Sequence, residues 1–225
     1  MGKAIGEILP LAIGVAISPL PIIAIVLMLG APGARATGTA FALGWIAGLS
    51  LAGTIMLVIA SGNATTNAGA PETWVSVLKL ALGALFLLLA IKQWRSRPAA
   101  GDEAVMPKWM RAIDTFSPGK ALVAGVALSG LNPKNLALTV AAATTIAEAG
   151  ISSGQEAGVM VIFVALGSLT ILVPLVIYFA LGGKAAGILD GIKNWMAAHN
   201  AAIMAVLLLV LGVKLIGDAV SGLSS

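Results

Sequence analysis

Asn132-Pro133-Lys134-Asn135 interrupts an apolar run, residues 121–147, that otherwise reads as a membrane-spanning helix. Proline removes a backbone donor and clashes with the turn before it, so the helix is predicted to break at Pro133. Two amides and an ammonium then lie beside the break, near the middle of the span. A cation at that depth is costly unless it faces a bundle interior or a water-filled path. The stretch reads as half of a transport site. Ser18-Pro19-Leu20-Pro21, inside the first apolar segment, supplies the other half.

Composition puts this break in lipid. Of 225 residues, 59% are hydrophobic and 10% charged, and mean hydropathy is +1.04. A soluble domain is about half apolar and about a quarter charged. A core of this size cannot hide the surplus, so the surrounding solvent is the bilayer. With no Cys, disulfides, thiolate metal sites and thiol redox chemistry are excluded. The basic residues flank apolar runs and form no stripe, which argues against a nucleic-acid partner.

Six apolar segments can be marked, at residues 5–29, 37–60, 74–91, 121–147, 157–181 and 201–216. Each is near or above the roughly 17–20 residues needed to cross a bilayer. They are long and lack strand-like alternation, and bare backbone polar groups are not tolerated in hydrocarbon, so helices are expected. The first segment carries Glu7 and far exceeds a signal-peptide core, so it reads as a retained helix.

Orientation follows the basic residues of the short loops. One side collects Arg35, then Lys92, Arg95, Arg97, Lys108, Arg111 and Lys120, then Lys184 and Lys193. The other has Lys3 and Lys214 near the termini and Glu72, Glu148 and Glu156 in its loops. Both termini are therefore expected outside, with the 3–4 loop cytoplasmic. In that loop, residues 107–116 are predicted to form a short helix lying in the interface. Lys108 and Arg111 would meet anionic lipid, and Trp109 and Phe116 would dip into it. A lipid-sensing gate and a plain interfacial anchor both fit.

A shift of 114 positions carries Pro19 onto Pro133, Gly44 onto Gly158 and Gly53 onto Gly167. Residues 1–95 then form a first three-helix repeat and 119–225 a second, joined by the loop 96–118. An odd number of spans per half inverts the second repeat. The expected fold is all-α, with six transmembrane helices as two inverted repeats and proline-broken helices 1 and 4. Interrupted helices at matching positions point to a midplane transport site. Two ordinary proline kinks are the structural alternative.

Pro19, Pro21 and Pro133 should free backbone carbonyls in the preceding turns and expose half-helix ends, where amides favour anions and carbonyls favour cations. No Asp or Glu lies mid-span, so Lys134 is expected to meet an anionic group, with Asn132, Asn135 and Ser18 giving neutral hydrogen bonds. Ser50, Thr54, Thr139, Ser168 and Thr170 could line the same path, although such hydroxyls often bond their own helix. Lys79 reads as an anchor that snorkels to the outer surface. Gly44 and Gly48 form a G-x-x-x-G that marks close helix packing within the bundle, with a homodimer seam as the alternative. Pro174 is a hinge or a passive kink. His199 stands alone, with no acid cluster, metal-ligand spacing or nucleophile–base arrangement around it. No Walker loop is present. The chain reads as no enzyme, with no cofactor and no metal.

Ile17-Ser18-Pro19-Leu20-Pro21, Gly44-Trp45-Ile46-Ala47-Gly48, Pro107-Lys108-Trp109 and Leu131-Asn132-Pro133-Lys134-Asn135 resemble the GAP-type proteins of actinobacteria. These are peptidoglycolipid- or sulfolipid-addressing proteins of the LysE transporter superfamily, and the resemblance spans nearly the whole chain. It implies a six-helix protein of the bacterial inner membrane that helps move envelope glycolipids outward. The expected function is export or flipping of lipids with an anionic or sugar headgroup, by alternating access around the two broken helices. Export of a small solute such as an amino acid is the alternative. So is a non-transporting role beside envelope-lipid synthesis or export proteins.

Overall fold

The structure is a computed structural model that describes residues 1–64, 73–96, 113 and 116–223. Helix α1 (Gly2–Ala16) is followed at once by α2 (Pro19–Gly30), and the two are bent by 53°. Pro19 and Pro21 sit in the first turn of α2, where a missing N–H costs nothing because it has no intrahelical acceptor there. The same prolines stop α1, since it could continue only through residues that cannot donate. A turn through Gly33, at φ 79°, leads into α3 (Ala34–Ala64), and α4 (Thr73–Arg95) follows.

The second half repeats the interruption. Ser117 starts α5 (Pro118–Val126) by accepting a hydrogen bond from the Lys120 amide. Its last turns widen into a π-helical segment, Ala127–Leu131. Asn132 leaves the helix, and α6 (Pro133–Ala147) begins with Pro133 in its first turn. Helix α7 (Ser153–Leu181) opens on a reciprocal Ser152–Gln155 cap and ends at Gly182, whose φ is +54°. A short 3-10 turn (Gly182–Lys184) connects it to α8 (Ala185–Leu223).

Three helical stretches, Ala34–Gly62, Ser76–Arg95 and Ser153–Leu223, are long and apolar enough to cross a membrane, and the bent α1–α2 pair makes a fourth. Pro118–Leu131 is a shorter apolar piece. The chain is an all-helical membrane protein, with no strand among the described residues. Pro174 lies buried inside an unbroken α7.

One expected loop is helix instead. The sequence puts the connection between the fifth and sixth apolar segments at Leu181–Ala198, but α8 starts at Ala185 and runs 39 residues to Leu223. That is about 58 Å at about 1.5 Å per residue, against a hydrocarbon core of roughly 30 Å. Gly182-Gly183 is the only breaker pair there, and Ala185, Leu189 and Met196 are buried on one helical face. The segment is amphipathic, and hydropathy scanning sees only its apolar continuation.

Close helix packing is set by glycine. α4 packs along α8, and α3 along α5 and the π segment. A Cβ at Gly48 would lie 2.7 Å from the Val126 carbonyl oxygen, and one at Gly130 would lie 2.9 Å from that of Gly48. One at Gly44 would collide with the Leu122 carbonyl. Gly44 and Gly48 thus face a neighbouring helix of the same chain. Gly53 lies against the Met160 sulfur, and Gly167 against Val15 and Leu49. Gly158 meets only the tip of Met1, so it is no tight seam.

Of the expected interfacial helix, Lys108, Trp109 and Arg111 lie outside the described residues. Ile113 is buried and Phe116 packs against the core, so these two point inward and not into lipid. Lys79 does not snorkel free. Its ammonium lies 2.7 Å from the Glu148 carboxylate, tying the start of α4 to the end of α6. Reversing either charge (Lys79→Glu or Glu148→Lys) is expected to lower thermal stability by about 1 kcal/mol, and the double reversal to recover most of it. Thermal unfolding of the four proteins in one detergent checks this; additive losses would show that the pair contributes nothing.

Candidate functional site

The break in α1–α2 leaves a set of carbonyls that the chain must satisfy. In a helix the carbonyl of residue i accepts from the amide of i+4. For Val15 and Ile17 that residue is Pro19 and Pro21, and neither has an N–H. The Ser18 amide, the normal donor to Gly14, turns back to Ala16 at 2.8 Å. The last turn of α1 therefore presents its carbonyls with the negative end of the helix dipole behind them.

Side chains from three elements answer them. The Ser18 hydroxyl donates to the Val15 carbonyl at 2.9 Å. Thr170 of α7 donates to the Ala16 carbonyl at 2.5 Å. Lys134 of α6 reaches across with its ammonium. It donates to the Gly14 carbonyl at 2.7 Å, to the Ser18 hydroxyl at 2.5 Å and to the Ile17 carbonyl at 3.4 Å. An ammonium has three donors, so all three are committed.

The second break positions that lysine. Asn132 caps α6 by accepting from the Lys134 amide at 3.0 Å, which fixes where the side chain leaves the helix. Asn135, fully buried, donates to the Leu128 carbonyl of the π segment at 3.0 Å and so holds the two halves of the interrupted helix together. Its other amide atom, Oδ1, stands 3.5 Å from the Ser18 hydroxyl. The structure thus brings Ser18, Lys134 and Asn135 into one buried cluster between the two breaks, with Asn132 at its edge.

No acid lies in the span of Lys134, which is why the sequence points it at an anionic group. Here neutral carbonyl dipoles at the end of α1 take its charge. Of the other hydroxyls, Thr170 joins the cluster, while Thr139 and Ser168 bond backbone oxygens of their own helices, Asn135 at 2.7 Å and Val164 at 2.7 Å. Thr54 is exposed and Ser50 half-buried, and neither has a side-chain hydrogen bond to the cluster. Pro19 and Pro21 free the carbonyls of Val15 and Ile17, as the i, i+4 spacing requires; what reading the sequence missed is Lys134 as the donor to the Gly14 and Ile17 carbonyls. His199 stacks on Trp195 in α8, with ring centroids 4.8 Å apart. Among the described residues there is no cluster of His, Asp or Glu able to hold a metal.

Burial is uneven around the second break. Leu131 is 74% exposed and Pro133 is also exposed, Asn132 is half-buried, and Lys134, one residue further, is 8% exposed. The broken helix therefore lies at the bundle surface, with its polar residues one step inside.

A family model described as "Sap, sulfolipid-1-addressing protein" matches residues 8–221 of the chain. No curated protein and no solved structure matches it.

Proposed function

Because the chain belongs to the sulfolipid-1-addressing protein family, we propose that it moves a lipid with an anionic or sugar headgroup across its membrane, as an exporter or flippase. The observation that carries this reading is the surface position of the second break. A lipid carrier needs its polar site to open sideways, so that a headgroup enters while acyl chains stay in the bilayer. Leu131, Asn132 and Pro133 offer such an opening directly beside Lys134. A closed path for a small solute would bury the break on all sides.

The proposed topology is six spans: α1–α2, α3, α4, α5–α6, α7 and α8, as two inverted three-helix repeats. The pattern of helix neighbours supports it. Exchanging the halves maps α3 against α5 onto α7 against α1, and α3 against α6 onto α7 against α2, while α4 against α8 maps onto itself. All of these neighbour pairs occur. The proposed location is a bacterial inner membrane, with both termini outside and the 3–4 loop cytoplasmic, an orientation that the distribution of basic residues supports.

In the proposed cycle the headgroup competes with the end of α1 for Lys134. When the repeats rock, the ammonium exchanges carbonyl oxygens for headgroup oxygens, and Asn132 and Asn135 add neutral hydrogen bonds. Both ends of that exchange leave the charge paired, which keeps a buried cation tolerable throughout.

Reconstitution into liposomes carrying a fluorescent anionic glycolipid tests the function. Lipid moved between leaflets should become accessible to a membrane-impermeant quencher at least tenfold faster than in protein-free liposomes. Amino-acid uptake with no lipid movement would replace this reading by the small-solute one. Movement of neither substrate would leave a partner role beside lipid synthesis or export proteins.

A further inference from the structure

A second polar site lies about 12 Å along α7 from Thr170, the α7 member of the cluster between the breaks, at about 1.5 Å per residue. Helix α7 spans roughly 43 Å at about 1.5 Å per residue. Near one end Glu156 accepts a hydrogen bond from Ser61 at 3.1 Å. At its other end α7 meets α2, the start of α3 and the start of α8 around a cleft of about 390 Å³. Val26, Leu29, Phe179 and Leu189 give the cleft an apolar wall, and Arg35, Tyr178 and Asp190 give it polar groups.

The polar groups are not equivalent. The Asp190 carboxylate is engaged by the Lys193 ammonium at 2.6 Å. Arg35 is exposed and has no hydrogen bond or ion pair among the described residues, and the Tyr178 hydroxyl likewise has no partner there. One cleft thus combines an uncommitted guanidinium, an uncommitted phenol and an acid already neutralised. A guanidinium is a planar fork that matches tetrahedral oxyanions in a bidentate way. The apolar wall beside it suits a hydrocarbon chain.

We propose that this cleft binds the oxyanion headgroup, of the phosphate or sulfate class, of an amphiphile whose chain lies along Leu29 and Phe179. Arg35 clamps the oxyanion and Tyr178 donates a further hydrogen bond. The proposal deepens the lipid-moving reading and rests on it for its role. The cleft is the loading site on the basic side of the protein, and Lys134 is the later contact between the broken helices. Lys134 has all its donors occupied in this state, whereas Arg35 has no partner among the described residues, so the headgroup meets Arg35 first.

The test uses the full chain in nanodiscs with photoactivatable diazirine analogues of phosphatidylglycerol and of diacylglycerol, which lacks the oxyanion, followed by peptide mapping. Labelling by the anionic probe is expected to concentrate on the peptides around Phe179 and Leu189. Arg35→Gln should cut that labelling about fivefold, the factor one basic residue near an anionic surface is worth. Lys92→Gln, an exposed basic residue at the end of α4, should leave it unchanged. Equal labelling of the cleft by both probes, or labelling indifferent to Arg35→Gln, overturns the proposal. Inorganic phosphate and sulfate form a separate arm. If free phosphate or sulfate displaces the probe as effectively as unlabelled phosphatidylglycerol at the same concentration, the chain adds nothing, the cleft is a free-anion site and the lipid assignment falls. Cleft labelling without any lipid translocation in liposomes would sink the transport reading and leave the cleft standing. Translocation with no Arg35-dependent labelling would do the reverse.

Discussion

Lys134→Met is expected to reduce lipid translocation to the protein-free background and to lower the stability of the folded bundle. Methionine keeps an unbranched apolar stem that reaches as far as the lysine Cε, with sulfur in place of Cδ, and lacks the ammonium. Gly14 and Ile17 then keep carbonyls with no donor, and Ser18 loses its bond from the ammonium, in a buried site where water does not replace them. A buried acceptor left unsatisfied costs about 1–3 kcal/mol, so the loss is on the order of 3 kcal/mol for the cluster. Transport should fall further than stability does, because the variant also lacks the cation that the headgroup would compete for. A decrease of at least about tenfold in rate corresponds to about 1.4 kcal/mol of lost stabilisation, well inside what a desolvated charge contributes. Lys134→Arg is not a rescue, because a planar fork cannot converge on three acceptors arranged around one ammonium. Should Lys134→Met fail to fold, Ser18→Ala removes one acceptor and leaves the lysine. It should fold, lose about 1 kcal/mol and translocate at an intermediate rate. Wild-type translocation by a folded Lys134→Met protein would remove the site between the breaks from the mechanism.

The two breaks were legible in the sequence because proline acts locally. Pro19, Pro21 and Pro133 each forbid one hydrogen bond at a known position, and the helices end where that bond is lost. The meeting of Ser18 with Lys134 and Asn135 was also legible, through the matched positions of the prolines. What the lysine does there was not. Its partners are backbone oxygens, which carry no residue identity and so leave no trace in composition or charge counts. The same holds for the pairing of Lys79 with Glu148. They are 69 positions apart, and only the packing of α4 beside α6 makes them neighbours. The helical residues 185–200 were missed for a different reason. A transfer scale reports apolarity, and an amphipathic turn with Asp190 and Lys193 on its outer face averages to a loop. The π segment, too, is set by tertiary packing. It lies where Gly48 and Gly130 let two backbones approach, and no residue within 127–131 demands that geometry on its own.

That approach makes Gly125 a position where a single methyl group should damage the fold. A Cβ there would lie 2.7 Å from the Trp45 amide nitrogen and 3.0 Å from the Gly44 carbonyl carbon, and would also collide with the Phe41 carbonyl. All three obstacles are backbone of α3, so no side-chain rotation relieves them and α5 must move away. Phe41 and Trp45 are fully buried on that face, and separating the helices opens the core around them. Overpacking of this kind costs about 1–3 kcal/mol. Alanine also offsets up to about 1 kcal/mol of that by its higher helix propensity. Gly125→Ala is therefore expected to lose about 2 kcal/mol, and Gly125→Leu to prevent accumulation of a monodisperse protein. Gly187→Ala and Gly191→Ala, in α8 with nothing within 4 Å of the added atom, should gain from propensity alone and become more stable. Thermal unfolding in one detergent gives the comparison, and the opposite signs of the two classes are the prediction. The seam also bears on the site. Moving α5 carries the π segment with it, and Asn135 holds that segment through Leu128. Gly125→Ala should accordingly slow translocation even at temperatures where it remains folded. A stable, fully active Gly125→Ala protein would mean that α3 and α5 do not pack this closely in the bilayer.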